Sequence, residues 1–233
     1  MTQEQRRQLV KYNFYHLNPA WRALPEQERE KGKRQFQSVV EEFAGPLSIR
    51  SYSTVGIRGD VDFMLWLLSW ELDSIQEFAA QVNRTALAPY LTSPFAYLAL
   101  TRKSPYIGNH QHEGQEGVRT RIVPPKNPYP YLVVYPFVKT NEWYQLPQEE
   151  RQGMMNQHFE IGHKYPTVRI NTTYSFGIDD QEHVVSFETT SLSDFVELVM
   201  EMREAKARVY TLRDTPIFTC VQKPMQEILN SLG

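Results

Sequence analysis

The sequence predicts an α+β chain made of two tandem ferredoxin-like units, each running β-α-β-β-α-β. Three observations predict it. Strand-like and helix-like segments follow one another in that order twice. Matching residue groups recur in the two halves. A stretch poor in periodicity, 103–127, rich in Pro, Gly, Asn, His and Gln, stands between them. The expected domains are therefore 1–108, a linker over 109–128, and 129–233.

In the first half, residues 9–15 are β-rich and aromatic, and read as a strand. Residues 25–43 are charged and helical, with Phe36, Val39, Val40 and Phe43 on one side. Strands are expected over 49–55 and 62–71. The second is a continuous apolar run with two Trp, so a buried strand. A helix over 72–82 sets Ile75, Phe78 and Ala79 on one face, and 95–101 closes the half as a strand.

The second half follows the same plan. Strands are expected over 131–138, 167–176, 182–189 and 217–221. Helices are expected over 147–161, with Pro147 in its first turn, and over 193–203, with Ser193 as N-cap. Gln148, Glu149 and Glu150 then suit the positive end of the helix dipole. Trp21-Arg-Ala-Leu-Pro25 faces Trp143-Tyr-Gln-Leu-Pro147, and a charged helix follows each. Val55-Gly56-Ile57 faces Phe176-Gly177-Ile178, and Trp70-Glu71 with Phe78 faces Phe187-Glu188 with Phe195. Such long spacing marks a domain duplication rather than a solenoid. Each unit leaves one sheet face bare, so the two copies bury those faces against each other or curl into a shared barrel.

Composition narrows the function. A net charge of −2 gives no electrostatic case for nucleic acid or an anionic membrane as partner. The single cysteine, Cys220, excludes a disulfide framework within the chain and a Cys-based zinc site, and reads as a small buried hydrophobe in a strand. The N-terminal residues lack the apolar core of a signal peptide, and the apolar run from Phe63 to Leu72 is too short to span a bilayer. The expected setting is the cytoplasm. His110 and His112, spaced H-Q-H, have the reach of a metal pair, but nothing beside them has ligand spacing. His163 and His183 read as surface residues.

His158 is different. It shares a helix face with Met154, Met155, Ile161 and Gly162. A lone histidine on such a face has a plain explanation, a core imidazole bonded to a backbone carbonyl. The repeat argues otherwise, because laying Trp21 on Trp143 lays Phe36 on His158. Packing alone is satisfied by Phe, so the imidazole has another purpose, and metal ligation is the obvious one. Zinc wants three or four protein ligands. A haem wants a single axial imidazole, since the macrocycle supplies the rest. Tyr135, Phe137, Trp143, Met154 and Met155 can line an apolar slot, and Arg121, Lys139 and Arg169 can meet carboxylates.

These residues also carry a family resemblance. Y-P-x-x-K at Tyr135–Lys139, E-W-Y-x-L-P-x-E-E-R, M-x-x-H ending at His158, and G-I-D-D at Gly177 together resemble the chlorite dismutase-like superfamily, which includes the coproheme decarboxylases. The resemblance covers nearly the whole chain. It implies a dimeric α/β barrel, usually in a homopentamer, with haem b or iron coproporphyrin III as cofactor. His158 would be the proximal ligand and metal-binding residue. Tyr135 would be oxidised to a radical that attacks a propionate, and Lys139 would assist as acid/base. Arg121, in V-R-T-R, would hold a propionate, Thr215 would contact the porphyrin carboxylates, and Trp143 would pack by the haem.

The chain also departs from the family. Chlorite-degrading members carry a distal Arg after the His helix, and many decarboxylases carry Gln. Counting back from Gly177 places Ile170 there, and counting forward from His158 places Asn171. Arg169 should turn to the opposite face from Ile170. Those members also hold the proximal His with a Glu, for which Glu204 is the nearest candidate here. The leading reading is a peroxide-dependent decarboxylase of iron coproporphyrin III that yields haem b. The alternatives are a chlorite dismutase, a non-catalytic haem-binding or sensing protein, and a purely structural barrel.

Overall fold

A computed structural model of the chain describes residues 6–106 and 121–233. His110, His112 and the first three residues of V-R-T-R lie outside the described residues. The chain divides into two compact units, one reaching Leu100 and taking in Thr219–Gly233, the other Thr101–Phe218. The tail that the sequence assigns to the second domain therefore belongs with the first unit. The reason is backbone pairing: Val221 and Gln222 register with Ser53 and Tyr52.

The first unit contains β1 (Leu9–Leu17), α1 (Glu26–Glu42), β2 (Ser48–Ser53), β3 (Phe63–Ser69), α2 (Leu72–Val82) and β4 (Leu91–Leu100). Its strands are antiparallel. β1 lies between β4 and β3, and β2 pairs with the other edge of β3. Every residue of β3 is buried, as its unbroken apolar run requires. Trp21, Phe36, Phe63 and Phe78 fill the space between sheet and helices. Gly32 is needed on α1 because a Cβ there would lie 2.6 Å from the Trp21 ring. A terminal helix not expected from sequence closes this core with Ile228, Leu229 and Leu232.

The second unit contains β5 (Tyr131–Lys139), α3 (Asn141–Gln145), α4 (Gln148–His163), β6 (Val168–Tyr174), β7 (His183–Thr189), α5 (Leu192–Glu204) and the short β8 (Thr211–Arg213). β9 (Phe218–Gln222) and α6 (Met225–Ser231) end the chain. β7 lies between β6 and β5, and β8 pairs with the other edge of β5, all antiparallel. Pro147 sits at the N-cap of α4 rather than inside its first turn, with Glu149 and Glu150 following. The cap of α5 is Ser191, not Ser193: its hydroxyl accepts from the Asp194 N–H at 3.2 Å. Cys220 is fully buried in β9, as expected.

The two units run through the same local bonds. In the first, the Asp62 carboxylate accepts the Leu17 N–H at 2.7 Å, and the Asp62 carbonyl accepts from Thr54. In the second, the Glu182 carboxylate accepts the Lys139 N–H at 2.8 Å, and the Glu182 carbonyl accepts from Ser175. Gly56 and Gly177 turn the intervening loops with φ of 76° and 74°, a region Gly enters without strain. The next residue opens the strand in each case, Phe63 in β3 and His183 in β7. Ser69 and Thr189 end those strands with the same hydroxyl bond, to Glu71 O and Ser191 O. This register sets Phe63 against His183 and corrects the sequence pairing of Trp70-Glu71 with Phe187-Glu188, which slips by a few residues.

Candidate functional site

Directly opposed residues in antiparallel strands share a face of the sheet. The register of β6, β7 and β5 therefore sorts the candidates. One face carries Ile170, Phe187 and Val133 in one row, then Thr172, Val185 and Tyr135, then Tyr174, His183 and Phe137. The other carries Arg169, Glu188 and Leu132, then Asn171, Ser186 and Val134. α4 and α5 cover the first face, where Ile161, Leu198 and Phe195 pack on Phe187 and Val133.

That register settles which of Ile170 and Asn171 shares the face of Tyr135. Ile170 does, and it is 37 % exposed. Asn171 is turned away, 6 % exposed, and its amide donates to Glu188 Oε2 at 3.0 Å. Arg169 is turned away with it, 3.6 Å from Glu188 and donating to the Val123 carbonyl. It is thus not a cation for the Tyr135 face.

Tyr135 stacks on Phe187 with 5.6 Å between centroids. Its hydroxyl makes no hydrogen bond among the described residues. Burial, reinforced by the Asp214 carboxylate and opposed by Arg203 and Arg208, pushes the phenol well above its ordinary range. Asp214 accepts from Arg203 at 2.6 Å and from Arg208 at 2.8 Å, so two guanidiniums share one carboxylate near this phenol. No sequence signal marks that cluster, which a loop and a helix end bring together.

Lys139 donates from Nζ to the Ala207 carbonyl at 3.1 Å, and its Nζ lies 4.3 Å from the Trp143 ring centroid. Burial, followed by the Arg208 charge and opposed by Glu182, lowers it to about 8. It is therefore poised to hold or release a proton near neutrality. The same Glu182 oxygen accepts the Lys139 N–H and the Tyr144 hydroxyl, the latter at 2.6 Å. Trp143 is buried against Tyr106 and Tyr210, with the Lys139 ammonium over its ring.

His158 is half-buried on α4, together with Met154 and Met155, and only Ile161 of that face is fully enclosed. Burial, followed by the nearby Lys139 charge, lowers His158 to about 4. The imidazole is neutral at neutral pH, the state a metal ligand requires. It has no hydrogen-bond partner among the described residues. Glu204 is exposed at the end of α5 and does not hold it. Arg121 and Thr215 are both exposed.

His183 is not the surface residue the sequence suggests. Its ring is edge-on to Phe176 at 4.9 Å and to Tyr174 at 5.0 Å, with Phe137 at 6.2 Å. Its Nδ1 is enclosed and has no hydrogen-bond partner among the described residues. Burial, then Lys139, lowers it to about 4. Strand alternation back from Phe187 would have placed it on the Tyr135 face.

Among the described residues no three His, Cys, Asp or Glu side chains stand together as a metal site. Lys139 lies near enough to His158 and to His183 to lower both, and Arg203 and Arg208 lie near enough to Tyr135 to act on its phenol, a setting that a macrocycle bearing carboxylates would suit.

An antiparallel α+β fold with one unpartnered helix-borne imidazole beside an aromatic and cationic sheet face defines the class. The chain belongs to the chlorite dismutase family, whose match spans residues 29–223. A coproheme decarboxylase of Mycolicibacterium smegmatis is 31 % identical over 182 residues, covering 78 % of this chain and 75 % of that protein. An arginine-to-glutamate variant of chlorite dismutase from Candidatus Nitrospira defluvii superposes with a TM-score of 0.87 at 25 % identity, over 96 % of this chain and 94 % of that one. Its imidazole complex gives 0.86 over the same shares at the same identity. No helix among the described residues is long and apolar enough to cross a membrane.

Proposed function

We propose that the chain binds an iron porphyrin through His158 and carries out peroxide-dependent oxidative decarboxylation of iron coproporphyrin III to haem b. The observation that carries this reading is Tyr135. It is a largely buried phenol with no hydrogen-bond partner, on the sheet face that α4 covers and close enough to Lys139's surroundings to feel Arg208. The decarboxylase from Mycolicibacterium smegmatis supports the same activity.

The bound group would supply one-electron oxidation of a neighbouring phenol at the expense of peroxide. Tyr135 is that phenol, and it acts on a propionate held against it. Lys139, lowered to about 8, holds the carboxylate as an ammonium and manages a proton. His158, neutral and without a hydrogen-bond partner among the described residues, would hold the iron, with Met154 and Met155 on the same helix beside it. Arg203 and Arg208 make the region attractive to carboxylates. Family membership further supports a homopentamer of cytoplasmic subunits, each a barrel of tandem ferredoxin-like repeats.

Ile170 favours a second reading, a non-catalytic haem-binding or sensing protein. An apolar side chain offers nothing to polarise a bound oxidant. Chlorite decomposition is the weakest reading, since Ile170 stands on this face and Arg169 points to the other. The deciding experiment is a peroxide titration of protein loaded with iron coproporphyrin III, followed by mass spectrometry. Two successive carboxyl losses that vanish in Tyr135→Phe support the decarboxylase. An unaltered or merely bleached porphyrin overturns it in favour of binding or sensing.

A further inference from the structure

His183 is the buried polar group that the reading above leaves without work. Its enclosed Nδ1 lacks a partner, and leaving a buried polar atom unmade costs about 1–3 kcal/mol. The ring sits in a nest of Phe176, Tyr174 and Phe137, which a phenyl ring would suit without that penalty. The first unit shows that a phenyl ring does suit it. At the matching position Phe63 stacks on Tyr15 at 4.8 Å and meets Phe36 edge-on at 5.8 Å. Phe36 matches His158. Two touching core phenylalanines in one unit thus correspond to two imidazoles in the other, and the Lys139 charge acts on both His158 and His183.

Position narrows the role. His183 lies one row from Tyr135 on the same face, as a diagonal cross-strand neighbour, and such neighbours are about 7–8 Å apart. It also lies within reach of the Lys139 charge, as His158 does. The charge that reaches it is Lys139 at the end of β5, and Lys139 is in turn influenced by Arg208 and by Glu182, the residue before His183. A neutral imidazole beside an ammonium completes a carboxylate site without adding a second charge. The lysine supplies the charge, and one ring N–H supplies direction.

We propose that His183 is a second imidazole of the porphyrin site, donating a hydrogen bond to a peripheral carboxylate of the bound macrocycle beside Lys139. This rests on the porphyrin reading above. It adds a residue that selects for carboxylate-bearing porphyrins over those without.

The test uses the full-length chain and compares iron coproporphyrin III with its tetramethyl ester, which keeps the macrocycle and caps every carboxylate. Binding is followed by the porphyrin absorption band in wild type, His183→Phe, His183→Gln and His158→Ala. His183→Phe should weaken the acid by about tenfold, as expected for one hydrogen bond to a charged group. It should change the ester by less than about twofold, and His183→Gln, which keeps a donor, should recover most of the loss. Equal effects of His183→Phe on acid and ester, or no effect on either, overturn the inference. Loss of the axial-imidazole spectrum in His158→Ala keeps the porphyrin reading standing in that event. Wild type that binds neither compound overturns both.

Discussion

Phe36 and Phe63 meet edge to face at 5.8 Å in the first unit, and the residues at their places in the second unit are His158 and His183. The same backbone plan therefore carries two core phenyl rings once and two imidazoles once. Restoring the phenyl rings should convert the second into the first. The double variant His158→Phe/His183→Phe is expected to lose all porphyrin absorbance. Its thermal midpoint should equal or exceed that of the wild-type apoprotein, with each kcal/mol gained worth about 2–4 °C. Calorimetry beside an absorbance titration checks this, and a markedly lower midpoint would show that the two sites do not correspond.

Both histidines make stability depend on pH in one direction. Their folded values, about 4, lie below the ordinary 6.5. Between these values the unfolded chain takes up protons that the folded chain refuses. Stability is accordingly full above the upper value and falls on acidification towards the lower one, by up to about 1.4 kcal/mol per pH unit for each histidine. Urea midpoints of the apoprotein across that range should show the slope, and His183→Phe should reduce it by roughly half.

Lys139 has the same sign at higher pH. Its folded value of about 8 lies below 10.5, so its charge destabilises the fold below about 8, an effect that fades as pH rises through the upper value. Lys139→Met should raise the thermal midpoint at neutral pH by a few degrees and weaken the binding of iron coproporphyrin III. Higher stability with undiminished affinity would remove Lys139 from the carboxylate site.

Glu182 holds that lysine in place. Its carboxylate raises Lys139 against burial, and one of its oxygens accepts both the Lys139 N–H and the Tyr144 hydroxyl. Glu182→Gln keeps an acceptor and removes the charge. The alkaline limb of the decarboxylation profile is expected near pH 8 in wild type and lower in this variant, and rate measurements across the limb decide it.

A control lies in the first unit. A Cβ at Gly32 would meet the Trp21 ring at 2.6 Å, so Gly32→Ala should destabilise the first unit by about 1–3 kcal/mol despite the better helix propensity of Ala. Porphyrin spectra at low temperature should be unaltered.

Much of this was legible in the chain itself. Periodicity marked the principal helices and strands, because which residues face a core depends only on local spacing. The duplication exposed His158, since Phe36 shows what packing alone would accept there. Tyr135 and Lys139 stood out together through the Y-P-x-x-K motif and the family resemblance it carries. The terminal helix and the membership of residues 219–233 were not legible, because strand pairing across long separations leaves no local pattern. Ile170 and Asn171 could not be separated by counting, since a slip of one residue exchanges the faces of a sheet, and only the register with Phe187 and Ser186 decides it. His183 looked like a surface residue beside Gln181 and Glu182. Its burial is conferred by Phe137, Tyr174 and Phe176, and Arg203, Arg208 and Asp214 likewise gather near Tyr135 only once α5 and the following loop are folded. The sequence by itself determined the elements and the types of chemistry on each. The tertiary structure decided which of those groups share a face, because desolvation and charge act between neighbours in space.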